Sequence, residues 1–144
     1  NRGASGIDGI ISTALGISFI NDKSNNLLVI GDISFFHDIN GFHVLKSLKI
    51  NLTIIVINNK GGQIFSTLEY ANKNIEKFDE FWITPQKIKI NNVANLFSLK
   101  YFKLTTKKLK EEISKISKLK GVKIVEIEIS SSLDIKIDKE LSLV

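Results

Sequence analysis

Two apolar runs in this chain each end in side chains of the kind that bind hard cations. The run 27–30 (Leu-Leu-Val-Ile) leads into Asp32, and the run 52–57 leads into Asn59 and, two residues later, Gly61. Such runs predict strands buried on both faces of a parallel sheet, whose strands share one carboxyl edge at which ligands bind. The Asp32 carboxylate, the Asn59 amide oxygen and the Gly61 carbonyl therefore predict a Mg²⁺ site with positions left for a diphosphate and a water.

The same edge also predicts an anion site. A helix beginning near Ser34 would direct its free N–H groups toward this edge, which suits a diphosphate, and Gly61-Gly62 would let the backbone approach closely. The alternative is that Asp32 and Asn59 are polar strand-end residues that cap helices beside a tight turn. Their joint occurrence across one strand–helix–strand unit favours the cation site.

The elements that must position these side chains alternate along the sequence. Residues 32–48 predict a loop entering a helix whose buried stripe includes Phe35 and Phe42, and residues 70–85 form the least regular connection. The other predicted elements are helices over 7–17, 90–99 and 106–119 and strands over 27–31, 52–58, 101–104 and 122–129. This alternation predicts an α/β layered domain with a parallel sheet.

Composition excludes several other classes of protein. The 144 residues are 43% hydrophobic and 24% charged, which is typical of a globular domain, and no apolar run reaches the roughly 18 residues of a membrane helix. Cysteine is absent, which excludes disulfides and thiolate chemistry. The formal net charge is +5, but the lysines of 107–123 alternate with apolar residues at helical spacing and have no interleaved aromatic residues. We therefore predict a solvated helix face and no nucleic-acid partner.

The strand-end residues resemble a known pattern. Gly31-Asp32 followed by Asn58-Asn59 is similar to the thiamin-diphosphate motif of enzymes such as acetolactate synthase and pyruvate decarboxylase, with Ile33 in place of the usual second glycine. The strings 1–9, 31–35 and 58–65, and the later 81–85, resemble the MenD branch, the 2-succinyl-5-enolpyruvyl-6-hydroxy-3-cyclohexene-1-carboxylate synthases. The resemblance covers most of residues 1–100.

This resemblance implies a fold and a division of labour among the residues. The fold would be the three-layer thiamin-diphosphate-binding fold, with a mainly parallel central sheet flanked by helices. Ile7 would prop the cofactor in its bent shape. The metal ligands would be Asp32, Asn59 and Gly61, and the other residues beside the cofactor Gly31, Ile33, Ser34 and Gly62. The substrate-contacting residues would be Arg2, Ile64, Phe65 and Leu68.

Each of these residues also has a structural interpretation. Ile7 is equally typical of a core residue, Arg2 of a charged chain end, and Ile64 and Phe65 of the core of a short helix. Other polar residues predict no chemistry. For the two histidines, His37 and His43, we predict packing or surface roles. For the carboxylates Asp8 and Asp38 we predict helix-end or surface roles.

The resemblance also implies an activity. It is the decarboxylation of 2-oxoglutarate and the addition of the resulting succinyl-semialdehyde carbanion to isochorismate, with thiamin diphosphate and Mg²⁺ (or Mn²⁺) as cofactors. The absence of methionine and the start at Asn1 predict that residues 1–144 are the diphosphate-binding domain at the C-terminal end of a longer enzyme. The activating glutamate would lie upstream of Asn1, so no catalytic residue is assigned within the chain and the chain alone should be inactive.

The enzyme would be a soluble homodimer or homotetramer of the bacterial cytoplasm or the plastid stroma. Two alternatives remain at this point. One is another thiamin-diphosphate decarboxylase or carboligase, or a separate subunit of a split one. The other is a non-catalytic nucleotide- or phosphate-binding module.

Overall fold

Four parallel strands form the central sheet of the computed structural model, which describes residues 6–72 and 75–141. The strands are β1 (Asn26–Gly31), β2 (Leu52–Asn58), β3 (Lys100–Leu104) and β4 (Val122–Glu128). Their order across the sheet is β1-β2-β4-β3, so β3 is reached by a crossover past the position that β4 later fills. In the register, Gly31 lies beside Ile57 and Asn58 beside Glu128. The strands therefore end together at one edge.

The helices cover both faces of this sheet. The α-helices are α1 (Ile10–Ile20), α2 (Asp32–His37), α3 (Ile90–Leu96), α4 (Leu109–Ser117) and α5 (Ser131–Leu141). Short 3₁₀ segments lie at Ile39–Lys46, Gln63–Thr67, Glu69–Asn72 and Thr106–Lys108, and a π-helical turn at Asp79–Ile83. No helix among the described residues is long and apolar enough to cross a membrane.

Two apolar clusters hold the layers together. On one face the fully buried Ile54, Val56 and Ile124 of the sheet pack against α1, α2, α3 and the 3₁₀ segment that contains Phe42. On the other face a smaller cluster includes Ile55 and Val125 of the sheet and Ile116 of α4. β2 and β4 are buried on both sides, as strands in the middle of a parallel sheet must be.

The predicted alternation of elements is confirmed, with changes at their ends. α2 begins directly at Asp32 without a preceding loop, and its continuation is a 3₁₀ segment rather than an α-helix, although Phe35 and Phe42 are buried as predicted. α3 ends at Leu96, before the predicted limit of 99. α5 has no counterpart among the predicted elements.

Two predictions about burial are wrong. β1 is not buried on both faces, because Leu27 and Val29 are 51% and 60% exposed. β1 is an edge strand of this sheet, and the smaller cluster on that face lies over the other strands. Lys123 does not lie on a solvated helix face: it is on β4, 1% exposed, and donates to the carbonyl oxygen of Leu119 at 2.6 Å.

Candidate functional site

Asp32 is the centre of the candidate site. It follows β1 directly as the first residue of α2 and is 3% exposed. Its Oδ2 atom accepts a hydrogen bond of 2.8 Å from the backbone N–H of Gly61. The carboxyl ends of β1 and β2 therefore place the predicted carboxylate in direct contact with the predicted glycine turn.

The electrostatic surroundings of Asp32 favour a bound cation. Burial raises the pKa of its carboxyl above the ordinary value, and the nearby charge of Glu126 adds to this effect. Backbone N–H groups of Gly61, Ile33 and Asp32 itself oppose the rise but do not cancel it. The ionised carboxylate is thus poorly solvated, and a divalent cation would supply the stabilisation that water cannot.

The turn after β2 has a geometry that requires glycine at residue 61. The φ angle of Gly61 is +125°, and a Cβ atom there would lie 2.4 Å from the carbonyl oxygen of Ile83. Gly62 has the φ and ψ angles of an inverse γ-turn, −75° and 60°, and Gln63 donates to the Gly61 carbonyl at 2.9 Å. A carbonyl oxygen has two lone pairs, so this one retains the capacity to bind a cation.

Asn59, the third predicted ligand, lies directly after the end of β2 and faces α5. Its Nδ2 atom donates to Asp134 Oδ2 at 2.7 Å, and its backbone carbonyl accepts a hydrogen bond of 2.8 Å from Ser131 Oγ. Because the nitrogen of the planar amide faces Asp134, the oxygen faces away from it. The hard-ligand atom of Asn59 is therefore the one that Asp134 leaves free.

In donor type this set would fit Mg²⁺ bound together with a diphosphate; the structure places Asp32 and Gly61 in contact and the Asn59 side chain against α5. The set comprises one carboxylate, one amide oxygen and one backbone carbonyl, and Mg²⁺ is commonly bound by one or two carboxylates plus substrate phosphates. Within residues 6–72 and 75–141 no group of three or more His, Cys, Asp or Glu side chains is placed to hold a metal. A site built only from protein side chains of those types is accordingly not present in that part of the chain.

Sequence reasoning missed a buried carboxylate next to this site. Glu126 on β4 is 6% exposed and accepts hydrogen bonds from Asn58 Nδ2 (2.7 Å) and from the Tyr101 hydroxyl. Asn58 Oδ1 in turn accepts from the N–H of Lys60 at 3.1 Å, so the network reaches the turn that carries Gly61. The available signal was a glutamate flanked by the apolar Val125 and Ile127 within a predicted strand.

A cavity of about 610 Å³ opens at this edge of the sheet. Asp32, Asn58 and Glu126 line it, and the segment 85–91 forms another wall. Asn91 Oδ1 is buried with no hydrogen-bond partner among the described residues. Asn59 does not line this cavity, because its side chain is directed to α5.

The remaining predicted cofactor residues lie along the same edge. Ile33 and Ser34 are in the first turn of α2, so the predicted helix start near Ser34 is two residues late. Gly31 has an ordinary φ of −75°, and a Cβ atom there would meet no protein atom within 4 Å. Ile7 is 38% exposed, which excludes the core interpretation for this residue within the described chain.

The predicted substrate residues follow the glycine turn. Ile64 is 70% exposed and is therefore not a core residue, whereas Phe65 is partly buried and packs edge-on against Trp82 with 5.6 Å between the ring centroids. Leu68 is partly buried at the end of the 3₁₀ segment Gln63–Thr67. Arg2 lies outside the described residues.

The polar residues for which we predicted no chemical role pack against other side chains, lie at the surface or bind a helix end. His43 packs edge-on against Phe97, and His37 is exposed at the end of α2. Asp38 accepts hydrogen bonds from both the backbone N–H and the hydroxyl of Ser12, in the first turn of α1. The helix-end role predicted for Asp38 is thus confirmed.

Comparison with known proteins decides the family. Residues 3–127 match the thiamine pyrophosphate enzyme C-terminal TPP-binding domain. This chain belongs to that family. The resemblance expected from the strand-end motif and the expected fold class are therefore confirmed.

Two similar proteins within this family have the same enzyme name. A 2-succinyl-5-enolpyruvyl-6-hydroxy-3-cyclohexene-1-carboxylate synthase of Listeria monocytogenes serotype 4b is 41% identical over 128 residues, which are 88% of this chain and 22% of that protein. The synthase of the same name from Lysinibacillus sphaericus is 36% identical over 142 residues, or 98% of this chain and 24% of that protein. The chain thus spans about a fifth to a quarter of the length of these curated relatives.

A solved structure shares the fold. Benzoylformate decarboxylase from Polynucleobacter necessarius superposes with a TM-score of 0.67 at 17% sequence identity. The match covers 82% of this chain and 23% of that one. At this identity the likeness concerns the fold alone.

Proposed function

We propose that this chain is the diphosphate-binding domain of a MenD-type synthase. The activity would be decarboxylation of 2-oxoglutarate and transfer of the remaining four-carbon unit to isochorismate, giving 2-succinyl-5-enolpyruvyl-6-hydroxy-3-cyclohexene-1-carboxylate. The observation that carries the proposal is the contact between the buried Asp32 carboxylate and the Gly61 N–H at the carboxyl edge of a thiamin-diphosphate-family sheet. The names of the relatives support the choice of substrates.

In this proposal three residues hold the cation. Asp32 would contribute its carboxylate, Asn59 its amide oxygen and Gly61 its backbone carbonyl to Mg²⁺ or Mn²⁺, which would neutralise charge on the diphosphate. The N–H groups of Gly61 and Ile33 keep the Asp32 carboxylate oriented, since both donate to it. Gly31 fits a position beside the diphosphate. No protein atom lies within 4 Å of where its Cβ would be, so that space is open to a ligand.

The rest of the chain shapes the space for the organic groups. Thiamin diphosphate, when bound, supplies a nucleophilic carbon and stabilises the negative charge left by the departing CO₂. Ile7 props the cofactor, and Ile64, Phe65 and Leu68 provide an apolar wall that excludes water from the charged substrate. The exposure of Ile7 (38%) and Ile64 (70%) supports these roles, because neither side chain is used by the protein core.

Two parts of the activity lie beyond the described residues. Arg2 would pair with a substrate carboxylate, for which a guanidinium has the matching bidentate geometry. The glutamate that activates the cofactor would come from a pyrimidine-binding domain of the same or a partner subunit in a homodimer or homotetramer. The isolated chain would then bind the cofactor weakly and turn over no substrate.

Calorimetric titration tests the cofactor assignment. Thiamin diphosphate with Mg²⁺ should bind the chain, and Asp32→Ala should abolish that binding, because the carboxylate is the only charged ligand proposed. Asp22→Ala removes an exposed carboxylate in the turn before β1 and should leave binding unchanged. Binding of ATP with Mg²⁺ but not of thiamin diphosphate would contradict the proposal.

An activity assay tests the substrate assignment. The chain combined with the upstream region of a similar synthase should consume 2-oxoglutarate only when isochorismate is present, whereas the chain alone should consume neither. Robust turnover by the chain alone would contradict the proposed division of the active site. Turnover by the combination with 2-oxoglutarate and a different acceptor, but not with isochorismate, would contradict the substrate assignment.

A further inference from the structure

We propose that Asp134 and Ser131 at the start of α5 are positioning residues for the cation site, acting through Asn59. This inference rests on the proposed function, since it assigns a role toward the Mg²⁺–diphosphate group. It goes beyond that function because α5 follows residue 127, where the match to the family domain ends. The contacts therefore come from a segment beyond the family-domain match, although it lies within the 142 residues aligned with the Lysinibacillus sphaericus synthase.

Both polar ends of Asn59 are held by one turn of helix. Asp134 Oδ2 accepts from the side-chain Nδ2, and Ser131 Oγ donates to the backbone carbonyl, at 2.7 and 2.8 Å. The partners are separated from Asn59 by 75 and 72 residues along the chain. α5 thus fixes the position of the Asn59 backbone and the rotation of its side chain at the same time.

The chemistry of the amide explains why a carboxylate is useful at residue 134. An ionised carboxylate can only accept hydrogen bonds, so the Asn59 amide must present its nitrogen to Asp134. A flip of the amide by 180° would place the nitrogen, which is no ligand for a hard cation, where the oxygen should be. Asp134 disfavours the flipped state, because the amide oxygen would then face a negative charge.

α5 also connects this ligand to the apolar wall. It packs against the 3₁₀ segment Gln63–Thr67, which carries Ile64 and Phe65. At the base of the helix, the N–H of Ile129 donates to the carbonyl of Asn58 at 3.0 Å. One helix therefore holds the ligand turn and the proposed substrate wall in a common frame.

Four variants separate orientation from charge and from helix stability. Asp134→Ala removes the acceptor, Asp134→Asn keeps an acceptor oxygen without the charge, and Ser131→Ala removes only the backbone contact. Glu140→Ala is the matched control. It removes a carboxylate from the same helix, and that carboxylate pairs with Lys136, one turn away. Far-UV circular dichroism would show that each variant retains its helix content.

The affinity for thiamin diphosphate with Mg²⁺, measured by calorimetry, is the first readout. We expect Asp134→Ala to weaken it by about 10- to 100-fold, the usual effect of losing a partner of a metal ligand. Ser131→Ala should weaken it less than about tenfold, as for one neutral hydrogen bond. Asp134→Asn should weaken it nearly as much as Asp134→Ala, because an amide at residue 134 can donate to the oxygen of a flipped Asn59 side chain as readily as it accepts from the nitrogen. Glu140→Ala should bind like the unchanged chain.

The side-chain NH₂ resonances of Asn59 in an ¹⁵N spectrum provide a readout that needs no ligand. They should move in Asp134→Ala and remain in place in Glu140→Ala, with the backbone resonances of β2 preserved in both. Unmoved resonances in Asp134→Ala would overturn the inference. So would an Asp134→Asn variant that binds like the unchanged chain, because a group that can only accept hydrogen bonds would then not be needed at residue 134.

The two proposals fail in distinguishable ways. If the unchanged chain binds and Asp134→Ala binds equally well, the positioning role is overturned and the proposed function stands. If the unchanged chain binds neither Mg²⁺ nor thiamin diphosphate, the proposed function fails and the positioning role fails with it.

Discussion

Replacement of Gly61 by alanine should destabilise the fold and the candidate site together. The new Cβ atom would lie 2.4 Å from Ile83 O and 2.8 Å from Ile83 Cγ2, and the φ angle of +125° is unfavourable for any residue with a side chain. Backbone strain of this kind costs about 1–3 kcal/mol and overpacking about 1–3 kcal/mol, so we expect a loss of about 2–6 kcal/mol. Since a domain is stable by only about 5–15 kcal/mol, much of the chain should be unfolded or close to it.

Two other glycines separate the contributions to this loss. Gly121 has a φ of +90°, but a Cβ atom there would meet no protein atom within 4 Å, so Gly121→Ala should show the backbone strain alone, about 1–3 kcal/mol. Gly31 has neither positive φ nor a close neighbour, so Gly31→Ala should change the free energy of unfolding by less than about 1 kcal/mol in either direction. Urea unfolding followed by circular dichroism measures all three variants.

For thiamin diphosphate binding, the expected order of Gly31→Ala and Gly121→Ala is the reverse of their order for stability. Gly31→Ala should leave the fold intact yet weaken thiamin diphosphate binding, because the methyl group would project toward the proposed diphosphate. Gly121→Ala, in the turn that precedes β4 at the opposite edge of the sheet, should bind as the unchanged chain does. A Gly61→Ala variant with the unfolding midpoint of the unchanged chain, or a Gly121→Ala variant that loses as much stability, would refute the reasoning about the contact with Ile83.

Three further predictions concern buried polar groups. Asp32→Asn should raise the stability of the cation-free chain at pH 7, as measured by urea unfolding. The gain should vanish below pH 3.8, because the raised pKa of Asp32 means that its charge is the destabilising form; a loss of stability at pH 7 would contradict this. Tyr101→Phe removes a donor from the buried Glu126 and should cost about 1–3 kcal/mol in the same assay, whereas an unchanged midpoint would show that the bond contributes nothing. Burial lowers the pKa of Lys123, with repulsion from Lys100 adding to the effect, so the unchanged chain should gain stability relative to Lys123→Met as the pH rises toward 10.5; a difference constant between pH 7 and 10 would argue against it.

The meeting of Asp32 with the glycine turn was predictable from the sequence. The runs 27–30 of β1 and 54–57 of β2 consist of branched apolar residues, which favour strands of a parallel sheet. Once two such strands are parallel neighbours, the residues that follow them must lie at the same edge. Asp32 and Gly61 follow two of these strands, and their hydrogen bond is the outcome.

Other features could not be predicted because they depend on which surfaces remain uncovered. Leu27 and Val29 have the residue types of a fully buried strand, yet β1 is at the edge of the sheet and one of its faces is exposed. Lys123 has the residue type of a surface position, yet its amino group reaches the Leu119 carbonyl while its stem is buried. Periodicity indicates which residues share a face, but it does not indicate whether another element lies over that face.

The sequence by itself determined the strands, their common edge and the polar residues that follow them there. Those properties follow from the alternation and composition of short segments, which act locally. Only the tertiary structure decided the partners: Asn58 with Glu126, 68 residues away, and Asn59 with Asp134, 75 residues away. Hydrogen bonds of this range require the relative placement of whole elements to within a fraction of an ångström. That placement arises from the packing of the two faces of the sheet, to which all of the segments contribute together.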